Sequence, residues 1–394
     1  MKSKLSFHII ALAALGQGLS GGDRIFIELA RRFARSHKMF IYVWEEGLAM
    51  CQRQHLKGSF LQFRLIKVGS LSKLGFVFTY FYRVFLGIKL GLTLKINPGD
   101  YIYSASEFWM DSLPAFILKL RFSKTKWVAA WYQTAPNPLV GFAEGERQDR
   151  YRWKALLYWL AQLPIKPLVS RFADFILINN EIEKRHFKNY EKKLVVVLGA
   201  VDTDLISKYI KKFFNLLKIY EAVFQGRFHP QKGVVELIKI WRLVVDKIPK
   251  AKLVMIGDGP LMNDVRQKIN DLGLMKNVEL KGYMFDGDEK FKIFAQSKIV
   301  VHPALFDSGG MASAEAMAFG LPVIGFDLPA YESYYPAGMY EVAVGSLSGF
   351  AAAILLLLRN KNLYKKLAYQ AKIMVEKNWS WDDRAIQVLT AITS

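Results

Sequence analysis

Short apolar, β-rich runs recur along this chain and alternate with stretches whose apolar residues follow helical spacing. The runs expected to be strands are Leu5–Leu15, Met39–Trp44, Asp100–Ser104, Lys126–Trp131, Asp174–Ile178 and Val195–Leu198. The rhythm then restarts with Ala222–Gln225, Leu253–Ile256, Val278–Lys281, Ile299–His302 and Val323–Phe326. Strand and helix patterns in alternation predict right-handed βαβ units and parallel sheets. Two such sets predict an α/β protein of two Rossmann-like, doubly wound domains, residues 1–199 and 200–377, divided near Gly199 to Asp204. The last helix, residues 378–394, is expected to pack back on the first domain. No tandem repeat or low-complexity segment interrupts the pattern.

Composition narrows the class. With 394 residues the chain has room for two domains, and 52% apolar against 23% charged residues marks globular material. Cys51 is the single cysteine, which excludes an internal disulfide framework and a cysteine-based zinc site. That usage fits a reducing cytoplasm, and Leu5–Leu15 leads into a glycine-rich loop rather than a secretory cleavage site.

The net charge of +21 changes the picture more. Between Gly47 and Gly99 there is no Asp or Glu, yet Arg53, Lys57, Arg64, Lys67, Lys73, Arg83, Lys89 and Lys95 all fall there. Such a field attracts polyanions. Phe76, Phe78, Tyr80, Phe81, Tyr82 and Phe85 lie among these cations, which suits an anionic membrane surface better than nucleic acid. The plainer alternative is an ordinary helix of a basic protein. Leu74–Ile96 is long enough to span a bilayer, but Arg83 and Lys89 would then sit near its middle.

Three motifs carry candidate chemistry. Gly16-Gln17-Gly18-Leu19-Ser20-Gly21-Gly22 follows the first strand and precedes a helix, where glycine backbone and free amides can receive an anion. Its Gly16-x-Gly18-x-x-Gly21 spacing, with Glu45 or Glu46 ending the second strand, also keeps a nicotinamide-dependent oxidoreductase open. Arg227 and Lys232, in Gly226-Arg-Phe-His-Pro-Gln-Lys-Gly233, stand at the end of a predicted strand where two cations can converge on one diphosphate. Asp307 and Glu315 flank Gly309-Gly310, and carboxylates so placed can accept hydrogen bonds from sugar or ribose hydroxyls.

These motifs, with Ile256-Gly257-Asp258-Gly259-Pro260 between them and Glu315-Ala-Met-Ala-Phe-Gly-Leu-Pro-Val-Ile324 after them, closely resemble the family 4 glycosyltransferases of glycosyl transferases group 1. The match is near-continuous over residues 196–330 and loose in the first half beyond the glycine-rich loop. Trp379-Ser380-Trp381 resembles that family's closing helix. The resemblance implies a GT-B fold, two lobes facing each other across a cleft that holds the donor, and retention of anomeric configuration without a metal or other cofactor. By position, Arg227 and Lys232 would bind the donor diphosphate, with the Gly21 and Gly22 amides closing on it. Asp307 would meet the transferred sugar and Glu315 the ribose. Gly309, Gly310 and Met311 would line the sugar pocket, and the base would sit near Gly257, Tyr283 and Met284.

Two positions depart from that pattern. Asp307 stands where the family usually has Glu, and Gln133 stands near the strand end where a His often faces the sugar. Asp202-x-Asp204 and Asp286-x-Asp288 resemble metal-binding acidic pairs, but the first marks a junction and the second a helix start. The expected partners are a UDP-, GDP- or ADP-sugar and a glycan or glycolipid acceptor, met peripherally at the cytoplasmic face of a membrane, as in polysaccharide biosynthesis. A nucleotide-sugar epimerase and a non-catalytic GT-B membrane scaffold remain as alternatives alongside the oxidoreductase.

Overall fold

The computed structural model describes residues 4–15, 18–67, 76–142, 151–307, 309 and 311–394. Gly16 and Gly310 therefore lie outside the described residues. In chain order the first elements are β1 (Ser6–Ile10), α1 (Gly21–Phe33), β2 (Lys38–Val43), α2 (Glu45–Arg53), β3 (Leu61–Leu65), α3 (Phe76–Thr93), β4 (Tyr101–Ser104) and α4 (Trp109–Arg121). They continue with β5 (Lys126–Ala130), α5 (Arg152–Gln162), α6 (Ile165–Phe172), β6 (Phe175–Ile178) and β7 (Leu194–Val196). Next come α7 (Thr203–Lys212), β8 (Tyr220–Gln225), α8 (Val234–Val245), β9 (Leu253–Ile256), α9 (Met262–Asp271), β10 (Val278–Gly282), α10 (Asp288–Ala295), β11 (Ser297–His302) and α11 (Met311–Ala318). The last are β12 (Val323–Phe326), α12 (Pro329–Tyr334), β13 (Met339–Val342), α13 (Leu347–Arg359), α14 (Lys361–Asn378) and α15 (Trp381–Thr393).

The chain divides into two compact units. One holds Met1–Asn137, Ala155–Leu198 and Trp381–Ser394; the other holds Pro138–Lys154 and Gly199–Ser380. The first unit is built on a seven-stranded sheet of order β3-β2-β1-β4-β5-β6-β7, the second on a six-stranded sheet of order β10-β9-β8-β11-β12-β13. Every strand pair is parallel. Three interior strands are buried along their whole length, as strands covered by helices on both faces can be: Tyr-Ile-Tyr-Ser in β4, Leu-Val-Met-Ile in β9 and Val-Ile-Gly-Phe in β12.

Side-chain caps set several helix starts. Ser20 and Asp23 form a reciprocal capping box at α1, and Asp202, Ser346 and Asn360 cap α7, α13 and α14. Asp202 is thus a cap. Asp288 opens α10, and Asp286 is bonded to Lys290, so both acidic pairs have structural uses. Within the first unit α15 lies on α1, where Arg32 and Arg35 both meet Asp382. The Tyr101 hydroxyl donates to the Ile392 carbonyl at 3.2 Å.

Several expectations change. The first apolar run is a strand only over Ser6–Ile10; the residues after it turn into the glycine-rich loop. Two strands were not expected, β3 and β13, and both sit at sheet edges where one face meets water and no long apolar run is needed. Phe142, placed with the first domain by sequence, packs in the second unit against His229 and Phe306. Arg83 is not a surface cation. Its guanidinium is buried over the Trp44 ring and bonds Glu46 at 2.7 Å, which also gives Glu46 a structural partner.

Candidate active site

In the second sheet the order reverses between β8 and β11, and in such sheets ligands bind beyond the strand C-termini at that reversal. The loops there carry the acid and base residues singled out by sequence. Arg227 follows β8, exposed, and its side chain makes no hydrogen bond or ion pair among the described residues. Lys232 ends a single 3-10 turn, Pro230–Lys232, and Gly233 closes it at φ +62°. A Cβ on Gly233 would fall 1.9 Å from the Pro303 carbonyl oxygen, so only glycine lets the turn approach the end of β11.

That approach brings Lys232 to Asp307. The ammonium donates to Oδ2 at 2.5 Å, and the same oxygen is met by the Tyr331 hydroxyl at 3.1 Å and His302 Nε2 at 3.2 Å. The Gly309 amide donates to Oδ1 at 3.3 Å. Burial alone would raise the Asp307 pKa, but the Lys232 charge and the bonds from His302 and Lys232 outweigh it and hold the carboxyl well below its usual range. Burial holds the His302 imidazole below its usual pKa, and because a carboxylate can only accept, the ring donates its Nε2–H. Phe142 braces the back of both loops through His229 and Phe306.

Glu315 lies on α11 and turns to a different cation. Lys290, on α10, reaches Glu315 at 2.6 Å and Asp286 at 2.7 Å. The Gln225 amide adds a bond to Glu315 at 3.0 Å. Burial would lower the Lys290 pKa, but the two carboxylates raise it, so the ammonium stays charged inside the unit. Gly257, at φ +143° after β9, sits against Gly226, where a Cβ would fall 1.9 Å from the Gly226 carbonyl oxygen. Beyond β10, Tyr283 and Phe285 meet edge to face at 5.0 Å, with Tyr283 exposed and Met284 half-buried. Gly309 lies against the Tyr334 ring, and Met311 packs its side chain on Gly199. One unit thus collects Arg227, Lys232, Asp307, Glu315, Gly257, Tyr283, Met284, Gly309 and Met311 at one sheet edge. His302, Tyr331, Gln225 and Lys290 complete the arrangement and were missed by sequence reading. His302 is the last residue of an expected strand and Lys290 lies four positions after Asp286, so spacing could have found both.

The first unit has its own reversal, between β1 and β4. There the Leu12 and Ala13 amides donate to Asp111 at 2.5 and 3.0 Å. Gly21 and Gly22 are the first residues of α1, whose leading amides have no helical acceptor. Gly22 also makes room for a neighbour: a Cβ there would meet the Tyr132 ring at 3.1 Å. Beyond β5, the Gln133 carbonyl accepts from Gln162 at 2.7 Å and Tyr158 at 3.2 Å, while its buried Nε2 has no partner among the described residues. Glu107, bonded by Tyr158, is pushed up to about 7 by burial. Among the described residues, no three His, Cys, Asp or Glu side chains are grouped to hold a metal ion.

Comparison with known proteins gives this geometry a family. Residues 206–374, which include Arg227, Lys232, Asp307 and Glu315, match the model of glycosyl transferases group 1. An uncharacterised glycosyltransferase of Methanocaldococcus jannaschii is 27% identical over 74% of this chain and 70% of its own. The UDP-Gal:alpha-D-GlcNAc-diphosphoundecaprenol alpha-1,3-galactosyltransferase of Escherichia coli is 32% identical, over 34% of this chain and 36% of its own. The crystal structure of Anabaena HepE in complex with UDP and glucose superposes over 100% of both chains with a TM-score of 0.72 at 14% identity, which establishes the GT-B fold. Residues 206–374 are thus a glycosyl transferases group 1 domain, in a chain whose fold is GT-B.

Proposed function

We propose that this glycosyltransferase takes a sugar from a nucleoside diphosphate donor, with retention of configuration and without a metal, and delivers it to a hydroxyl of a lipid-linked saccharide at a membrane surface. The observation that carries the reading is the pairing at the β8–β11 reversal. Exposed Arg227 stands on the same loop as Lys232, whose ammonium spends one of its three N–H donors on Asp307 and keeps two. In the proposed step the bond from the anomeric carbon to the diphosphate oxygen breaks and the oxygen keeps the electron pair. The acceptor oxygen bonds the same carbon from the same face, and its proton passes to the departing phosphate oxygen. Arg227 and Lys232 stabilise the charge that builds on that oxygen.

Glu315, held by Lys290 and Gln225, has a fixed direction in which to accept ribose hydroxyls. Two facts about relatives support the donor and acceptor: HepE was crystallised with UDP and glucose, and the Escherichia coli enzyme's name gives a UDP donor, an alpha product and a diphosphoundecaprenol acceptor. Thermal unfolding of the chain with UDP, GDP, ADP and NAD tests the donor reading. One nucleoside diphosphate at a hundredfold excess over its Kd should add about 2.7 kcal/mol, unchanged by a chelator. Stabilisation by NAD alone, or by a diphosphate only when magnesium is present, would overturn it.

A further inference from the structure

Helix α5 is built inside out. Two of its polar residues point inward: Gln162 is buried, and Tyr158 and Gln162 both bond the Gln133 carbonyl. Its apolar residues point outward at helical spacing, with Trp153 68% exposed, Leu157 51% and Leu160 44%. Because hydrogen bonds hold the inner face, the helix cannot roll to hide the outer one.

Helix α3 repeats the pattern. Gly87 and Gly91 bring it close against α4, where added Cβ atoms would fall 3.1 Å from the Met110 oxygen and 2.9 Å from the Pro114 Cα. The opposite face presents Phe81 at 56% and Phe85 at 58% exposure, with Phe78, Lys89 and Leu92 along the same stripe. Both helices pack on the start of α4, Phe81 against Trp109 and Tyr158 against Phe108. Both helices therefore border the same end of α4. Soluble surfaces rarely leave so many large apolar side chains together.

We propose that these two helix faces of the first unit form a docking face for an anionic lipid surface, with α3 and α5 lying in the headgroup layer and inserting Phe78, Phe81, Phe85, Leu157 and Leu160. Charge selects the occupant. Residues 112–142 and 151–173 contain no Asp or Glu. Lys89 lies within the α3 stripe and Lys95 just beyond it, and Lys166 and Arg171 follow α5 on α6. Aromatic side chains ringed by cations suit the boundary between acidic headgroups and acyl chains. No described helix is long and apolar enough to cross a membrane, so the contact lies along the surface. The proposal deepens the reading of a lipid-linked acceptor, since it would bring the enzyme to the layer where such an acceptor resides.

Co-sedimentation of the full chain with phosphatidylcholine vesicles, with and without phosphatidylglycerol, tests it without donor or acceptor, so a failure here leaves the sugar-transfer reading standing. The wild type should bind only the anionic vesicles. Phe81→Ser with Phe85→Ser, and separately Leu157→Ser with Leu160→Ser, should weaken partitioning at least tenfold and abolish the part that survives high salt. Leu217→Ser, at an exposed leucine of the second unit, should bind like the wild type, and all variants should keep the wild-type thermal transition. Wild-type protein that ignores anionic vesicles, variants that bind undiminished, or a dimer that the two double variants dissociate would each overturn the proposal.

Discussion

Lys232 has a partner before any phosphate arrives. Asp307 is one methylene shorter than the glutamate usual at that position, and its carboxylate stays with Lys232, His302 and Tyr331. In this arrangement Asp307 holds the Lys232 ammonium by a hydrogen bond. Lys232→Ala should lower kcat/KM by roughly two orders of magnitude, about 2.7 kcal/mol. Asp307→Asn should act through the same ammonium, so the double variant should lose less than the sum, with a coupling of at least about 0.5 kcal/mol. Steady-state kinetics on the four proteins decide it; additive losses would give the two residues separate roles. The motif spacing made Arg227, Lys232, Asp307 and Glu315 legible. It could not reveal which cation serves which carboxylate, because that depends on where the chain crosses: Lys290 reaches Glu315 from another helix, 25 positions away.

At the scale of elements, the site depends on two turns that pass too close to neighbouring backbone for any side chain. Gly233→Ala would drive a methyl group into the Pro303 carbonyl at a left-handed φ, and should destabilise the second unit by at least about 1–3 kcal/mol. Urea denaturation of the full chain should then show the loss, and an unchanged midpoint would mean the turn relaxes freely. Buried parallel strands could be read from apolar runs because helices cover both faces. The edge strands β3 and β13 could not, since residues such as Gln62, Arg64 and Glu341 lie among their apolar positions. Helix α5 was hidden for a further reason. Its apolar stripe, read alone, is that of an ordinary helix, and only the bonds to Gln133 reveal which way the stripe faces.

For the whole molecule, buried carboxyls shape stability against pH. Glu107 and Asp111 are both raised by burial, to about 7, from ordinary values of 4.5 and 3.8. Between those limits the folded chain keeps protons that the unfolded chain releases, so their contribution falls as pH rises from about 4 to 7 and is level above. Asp307, depressed, works in the opposite sense: its contribution is present above the ordinary carboxylate range and disappears on acidification. Glu107→Gln should therefore flatten the decline of denaturation midpoints between pH 5 and 7. A slope equal to that of the wild type would show that Glu107 ionises in the folded protein as it does in water.

Helix α15 rests on α1, yet it is synthesised after the whole of the second unit. At 5–20 residues per second, a ribosome needs roughly 20 to 70 s to travel from α1 to α15. During that interval Arg32, Arg35 and the Tyr101 hydroxyl wait without the partners they have at the end. Every residue of the second unit is already translated by then, so it can close first. The second unit can thus mature before the first has its last helix, and the amino-terminal half is the one that stays incomplete longest on the ribosome.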